Sequence, residues 1–183
     1  MDSGIIRGKL KDILMPNRFI AWNTVEKIRR RHLAKLIGED GGKVLDVGCR
    51  TPYLKDKIEA KGMKYFPVDI APINGVVKGD VENLQFKDNF FDITICSEVL
   101  EHVHDPIKAM KELKRVTKKR LIISVPYEPW FTFWRLMIWE NGHLWAIRPK
   151  IFKKCFGRPS YEEIFLLKRY YIGVWDFNFK KHL

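Results

Sequence analysis

Three aspartates of this 183-residue chain stand where β-like runs come to an end: Asp46 in Asp46-Val47-Gly48, then Asp69, then Asp80. An ionised carboxylate only accepts hydrogen bonds, and its two oxygens can take both hydroxyls of a ribose. The interval from Asp46 to Asp69 is what one strand-helix-strand unit needs to bring the second carboxylate beside the first turn. Asp80, at the next strand end, is placed to reach an adenine amino group. A second constellation follows in Glu98-x-x-Glu101-His102, two carboxylates and an imidazole on adjacent turns, with His143 downstream. Glu98, Glu101, His102 and His143 offer the oxygen and nitrogen donors that suit Mg²⁺ or Mn²⁺. Such a cation lowers the pKa of an attacked hydroxyl, which makes Glu98, His102 and His143 the expected catalytic groups. Helix capping and packing is the competing reading of Glu101 and His102.

These residues need elements to hold them. Val25, Ile28, Leu33, Leu36 and Ile37 recur at helical spacing between a cap at Asn23 or Thr24 and a stop at Gly38. From Lys43 the pattern alternates. Lys43 to Val47 reads as a buried strand and Tyr53 to Ala60 as a helix. Strands follow at Lys64 to Val68, Val76 to Lys78, and Phe91 to Cys96. Asp105-Pro106 opens a helix with Ile107, Met110 and Leu113 inward, since proline is permitted in a first turn. Leu121 to Val125 is a fifth strand, Pro149 to Phe156 a helix, and Glu163 to Leu167 with Tyr170 to Phe179 a β pair. This is an α/β chain with a doubly wound, mostly parallel sheet and an antiparallel edge pair. Residues 1–40 read as a helical segment packed on the domain formed by residues 41–183.

The segments VLDVGCRTPYL, YFPVDIAP, GDVENLQFKDNFFDITICSEVLEHVHDP and RLIISVPYEP resemble the successive motifs of class I, Rossmann-like S-adenosylmethionine-dependent methyltransferases of the type 11 kind. The resemblance runs from about Lys43 to Pro129. It implies that S-adenosylmethionine is the cofactor, held around Asp46 and Gly48, with Asp69 on the ribose and Asp80 and Val81 facing the adenine. It also implies that Ser97 and Glu98 lie near the methyl-transfer site. The chain departs from the family's glycine-rich loop, because Arg50 and Pro52 replace two glycines. Glycine there permits positive φ, arginine takes it at a cost, and proline has no N–H to give. Arg50 is expected to pair with the methionine carboxylate of the cofactor instead, and Pro52 to begin the next helix. Glu98, Glu101, His102 and His143 match a set found in ubiquinone-pathway O-methyltransferases and in small-RNA 3′-terminal 2′-O-methyltransferases. That likeness implies O-methylation of a small or lipid-like hydroxylated acceptor. An RNA 2′-O-methyltransferase, and a non-catalytic binding protein with a degenerate glycine loop, are the alternatives.

Composition narrows the setting. Thirty-four Lys+Arg against 22 Asp+Glu leave a formal charge of +12, a field that attracts polyanions such as RNA or anionic lipid; a lysine-rich solvated surface looks the same. Cys49, Cys96 and Cys155 form no C-x-x-C pair, which argues against a thiolate zinc site and fits a reducing cytoplasm. The most apolar segment, Pro129 to Trp139, is about half of the roughly 20 residues that span a bilayer and contains Arg135. Contact with a membrane surface is compatible with it, a transmembrane span is not. Trp130, Phe131, Phe133, Trp134, Trp139 and Trp145 are expected to cover an acceptor pocket, or simply to pack a lid.

Overall fold

Runs such as Val44-Leu45 and Ile93-Thr94-Ile95-Cys96 are apolar on both faces, so they must lie in a sheet covered on both sides. The computed structural model describes residues 18–39, 41–73, 75–127, 143–165 and 170–177, with side chains from residue 24 onward. Its elements are α1 (Arg18–Leu36), β1 (Lys43–Val47), α2 (Lys55–Glu59), β2 (Lys64–Asp69), β3 (Val77–Lys78), β4 (Phe91–Ser97), α3 (Pro106–Val116), β5 (Thr117–Pro126), α4 (Pro149–Phe156), β6 (Tyr161–Phe165) and β7 (Tyr170–Asp176). Residues up to Lys35 form one unit and those from Leu36 onward a second.

The second unit is built on a seven-stranded sheet in the order β3-β2-β1-β4-β5-β7-β6. β3, β2, β1, β4 and β5 are parallel, and β7 runs antiparallel to both β5 and β6. The order reverses beside β1, where β2 lies on one side and β4 on the other. A crevice opens beyond the strand ends at such a reversal, which puts Asp46, Asp69 and Ser97 at one rim.

The α3 helix shows how sequence becomes packing. Asp105 caps it, its carboxylate accepting the N–H of Ile107 at 2.9 Å and of Lys108 at 3.0 Å. Pro106, Ala109, Met110, Leu113 and Val116 form its buried stripe. Leu113 is fully buried, and Leu113→Ala would cost roughly 2–5 kcal/mol through lost burial and the cavity left behind. At the other end, Phe152 and Phe156 of α4 meet Tyr171 and Trp175 of β7 with ring centroids 5.1–5.7 Å apart, which seats α4 on the antiparallel part of the sheet.

Several expected boundaries move. α1 already runs at Arg18 and passes through Asn23 and Thr24 without a cap. Helix α2 is a short piece from Lys55, so Pro52 does not begin it; Pro52 sits in the turn before, its carbonyl accepting the Lys55 N–H at 3.1 Å. Ile107 is not inward but 37% exposed, because the buried stripe passes through Pro106 and Met110 instead. β3 is two residues long, β5 begins four residues early at Thr117, and β6 begins at Tyr161. Leu166 and Leu167 lie outside the described residues, as does the aromatic stretch from Trp130 to Trp139. Among the described residues no helix is long and apolar enough to cross a membrane.

Candidate active site

The β1 and β2 ends are joined by backbone hydrogen bonds before any side chain is considered. Gly48 N donates to Val68 O at 2.7 Å, and Gly79 N donates to Asp69 O at 3.0 Å. Gly48 has φ +70°, and a Cβ there would collide with the Val99 side chain. Two facts therefore require glycine, a left-handed backbone and a close neighbour from the loop after β4. Asp69 is held by one N–H on each oxygen, Arg50 N at 2.8 Å and Ala71 N at 2.9 Å. Each carboxylate oxygen has two lone pairs, so the group remains able to accept from a diol. The donor set thus fits a ribose. Asp80 accepts the Glu82 N–H at 2.8 Å and caps the turn that follows. Val81, expected at the adenine, is 5% exposed and belongs to the core cluster.

Arg50 settles how the altered loop closes. Its φ is +51°, the left-handed region that the lost glycine would have favoured. The conformation costs a non-glycine residue about 1–2 kcal/mol, against which stands the hydrogen bond from its N–H to Asp69. The loop keeps its course without the glycine. The Arg50 side chain is exposed, and among the described residues no carboxylate lies within ion-pair distance of it. A cationic group is thereby left at the cofactor rim.

Asp46 is 5% exposed, and the Tyr65 hydroxyl donates to its Oδ2 at 2.6 Å. Burial, followed by the charges of Asp46 and Asp69, pushes the neighbouring Cys49 thiol up to about 12. Tyr65 is raised as well, by burial first and then by Asp46. Cys49 is therefore a protonated, unreactive thiol at neutral pH. Sequence reasoning missed both Tyr65 and Val99. The signal for Tyr65 lay in the register: Val44 pairs with Tyr65, and side chains two apart share a face, which puts Tyr65 beside Asp46.

On the β4–β5 side, Ser97 pairs with Ser124 across the parallel ladder, and their hydroxyl oxygens are 2.8 Å apart. Ser124 Oγ donates to Glu98 Oε1 at 2.9 Å, and Glu98 carries φ +57°. Glu101, His102 and His143 come together: their ligand-capable atoms lie within 4.8 Å of one another. The His102 and His143 rings are 4.7 Å apart edge to face, and His102 Nε2 is 3.9 Å from Glu101 Oε1. Glu101 is only 1% exposed, so its carboxylate sits out of water beside the two imidazoles. The donor chemistry fits a divalent cation with three protein ligands. Glu98 stands outside this group, engaged by Ser124 instead. The downstream segment is tied in by backbone: Leu144 N and Trp145 N both donate to Glu101 O, at 2.7 and 3.1 Å. Thus His143, 41 residues from His102 in sequence, is delivered to it by main-chain bonds.

Known proteins share this fold. A profile described as a methyltransferase domain matches residues 19–164. A demethylmenaquinone methyltransferase of Paenarthrobacter aurescens is 31% identical over 133 residues, covering 66% of this chain and 52% of that protein. A ubiquinone biosynthesis O-methyltransferase of Coxiella burnetii is 28% identical over 109 residues, covering 51% of this chain and 47% of that protein. The chain spans about half the length of these curated relatives. The solved structure of an S-adenosylmethionine-dependent methyltransferase from Archaeoglobus fulgidus superposes with a TM-score of 0.68 at 16% identity, covering 82% of this chain and 93% of that one.

Proposed function

We propose that this chain, which belongs to the methyltransferase-domain family, transfers a methyl group from S-adenosylmethionine to an oxygen of a small or lipid-like hydroxylated acceptor. One observation carries the cofactor half: the Asp69 carboxylate, fixed by Arg50 N and Ala71 N, ends β2 directly beside the Gly48 turn. In this reading Asp69 accepts from the ribose hydroxyls, Asp80 reaches the adenine and Asp46 with Gly48 lines the methionine end. Arg50 supplies a guanidinium for the cofactor's carboxylate, a charge-assisted contact in place of backbone N–H groups. Bound S-adenosylmethionine supplies an electrophilic methyl on a sulfonium, and the protein's task is then chiefly alignment. Isothermal calorimetry with S-adenosylmethionine tests this half, and no heat at millimolar cofactor would leave only a non-catalytic binding fold.

The acceptor half rests on Glu101, His102 and His143. These three would hold Mg²⁺ or Mn²⁺, and a cation so held would lower the pKa of an acceptor hydroxyl. In this reading Ser97 and Glu98, tied together through Ser124, stand near the point of methyl transfer. Two relatives are named demethylmenaquinone methyltransferase and ubiquinone biosynthesis O-methyltransferase, which supports a small-molecule acceptor for this chain. Methyl transfer from radiolabelled cofactor to hydroxylated aromatic acceptors, with and without EDTA, is the test. Turnover that survives EDTA removes the metal and leaves His102 or His143 as a general base.

A further inference from the structure

The sequence of α3 leaves a second stripe opposite its buried one. Ile107, Lys108, Lys111 and Lys114 recur at spacings of three and four and face away from the core. In α4, Phe152 and Phe156 point in, so Lys150, Lys153 and Lys154 are exposed. Lys114 Nζ donates to Cys155 O at 3.3 Å and lashes the two helices side by side. Their combined outer face is basic. Glu112 is paired with Arg115 at 2.7 Å, and Glu162 pairs with Lys153 at 2.9 Å, which leaves Lys108, Lys111, Lys150 and Lys154 as the cations of the face. Asp105 and Glu82 are engaged by backbone N–H groups at the start of α3.

Between the start of α3 and the stretch leading into α4 runs a groove of about 560 Å³. Pro106, Ile107, Trp145, Ile147 and Ile151 line it together with the polar His104, Asp105 and Arg148. Two large apolar side chains of the groove are exposed, Ile107 at 37% and Trp145 at 46%, and Leu144, next in sequence to Trp145, is exposed at 53%. Exposed hydrophobics scattered singly mean nothing, but a cluster over a groove inside a basic face does. The Trp145 indole N–H is already satisfied by Val103 O at 2.8 Å, so its ring is held at the groove as an amphipathic anchor.

We infer that the α3–α4 face seats this chain on an anionic lipid bilayer, with Lys108, Lys111, Lys150 and Lys154 against the headgroups and acyl carbon entering the groove. Charge complementarity selects an anionic partner from a chain of formal charge +12. The groove's carbon lining is mainly aliphatic, Pro106, Ile107, Ala146, Ile147 and Ile151 beside the single indole of Trp145, which suits acyl carbon rather than a run of stacked bases. The start of α3 lies at the strand-end rim, so the face sets the Glu101, His102 and His143 cluster close to the bilayer. The inference stands on the surface alone and not on the methyl acceptor.

Vesicle co-sedimentation decides it. The full chain should bind phosphatidylcholine vesicles that contain phosphatidylglycerol and leave pure phosphatidylcholine vesicles in suspension. Lys108→Glu/Lys111→Glu/Lys154→Glu should weaken binding on the order of 100-fold. Lys64→Glu/Lys87→Glu/Lys118→Glu, the same charge change on other exposed lysines, should stay within about threefold. Ile107→Ser/Leu144→Ser should weaken binding about tenfold with an unchanged salt dependence. Equal losses in the two lysine triples would overturn the proposal, since net charge alone would then be at work. So would absent vesicle binding. Single-stranded RNA retained through Lys108, Lys111 and Lys154, with no vesicle retained, would give the face to nucleic acid instead.

Discussion

The two halves of the strand-end rim are built on opposite plans. On the β1–β2 side, main-chain N–H groups hold carboxylates: Arg50 N and Ala71 N on Asp69, Glu82 N on Asp80. On the β4–β5 side, side chains gather around one buried carboxylate, Glu101, and two segments far apart in sequence must meet before the group exists. The first plan is local and tolerant of side-chain change, provided the backbone keeps its course. The second has no such tolerance. Arg50 illustrates the difference, for it replaces a glycine while preserving the hydrogen bond that matters.

The largest effect that tests this contrast should come from Gly48→Val. A β-branched side chain at φ +70°, set against Val99, should cost roughly 3 kcal/mol and lower Tm by on the order of 10 °C, with cofactor binding lost. Binding retained at wild-type strength would show that the β1 turn does not touch the cofactor. Glu101→Gln should reduce turnover roughly 100-fold or more while S-adenosylmethionine affinity, read by calorimetry, stays within about twofold. A parallel fall in affinity would mean that the two halves are not separable.

Within the cofactor half, Asp69→Asn should weaken binding about 10- to 100-fold, the worth of charge-assisted hydrogen bonds to a diol. Arg50→Gly should weaken it about tenfold while stability stays within about 1 kcal/mol, because relief of the left-handed φ offsets the added chain entropy. If affinity rose instead, Arg50 would be an obstruction rather than a ligand. The smallest effect concerns Cys49. With its pKa near 12, the thiolate is scarce at pH 8 and grows only as the pH climbs toward that value. Labelling by iodoacetamide, followed by mass spectrometry, should be at least about 100-fold slower than for glutathione. Fast labelling would show that the thiol is not buried beside Asp46 and Asp69 as described.

The same contrast explains what could be read in advance. Alternating apolar runs and their terminal aspartates specify the parallel sheet, because each strand's burial and each turn's residue type are local properties. The antiparallel pair at Tyr161 and Tyr170 was legible too, though not the insertion of β7 between β5 and β6. Residue types alone set a cost on positive φ at Arg50; that it takes φ +51° with its N–H on Asp69 could not be read from them. Glu98 could not be separated from Glu101 by spacing, since both precede His102 within a turn. Only the position of Ser124, contributed by the neighbouring strand, draws Glu98 away. Tyr65 and Val99 were invisible for the same reason. Ile107 was assigned inward from helical periodicity, which cannot tell which of two adjacent stripes meets the sheet.

The placement of β7 bears on how the chain is made. β5 pairs with β4 on one edge, but its other edge, seven residues from Arg120 to Pro126, is closed by Tyr170–Asp176, which follow in sequence only after α4 and β6. While the chain emerges from a ribosome, that edge is a bare row of N–H and C=O groups flanked by Leu121, Ile122 and Ile123. Nascent chains arrested before Tyr170 should therefore recruit chaperones or aggregate, and release should follow once β7 slots into the gap.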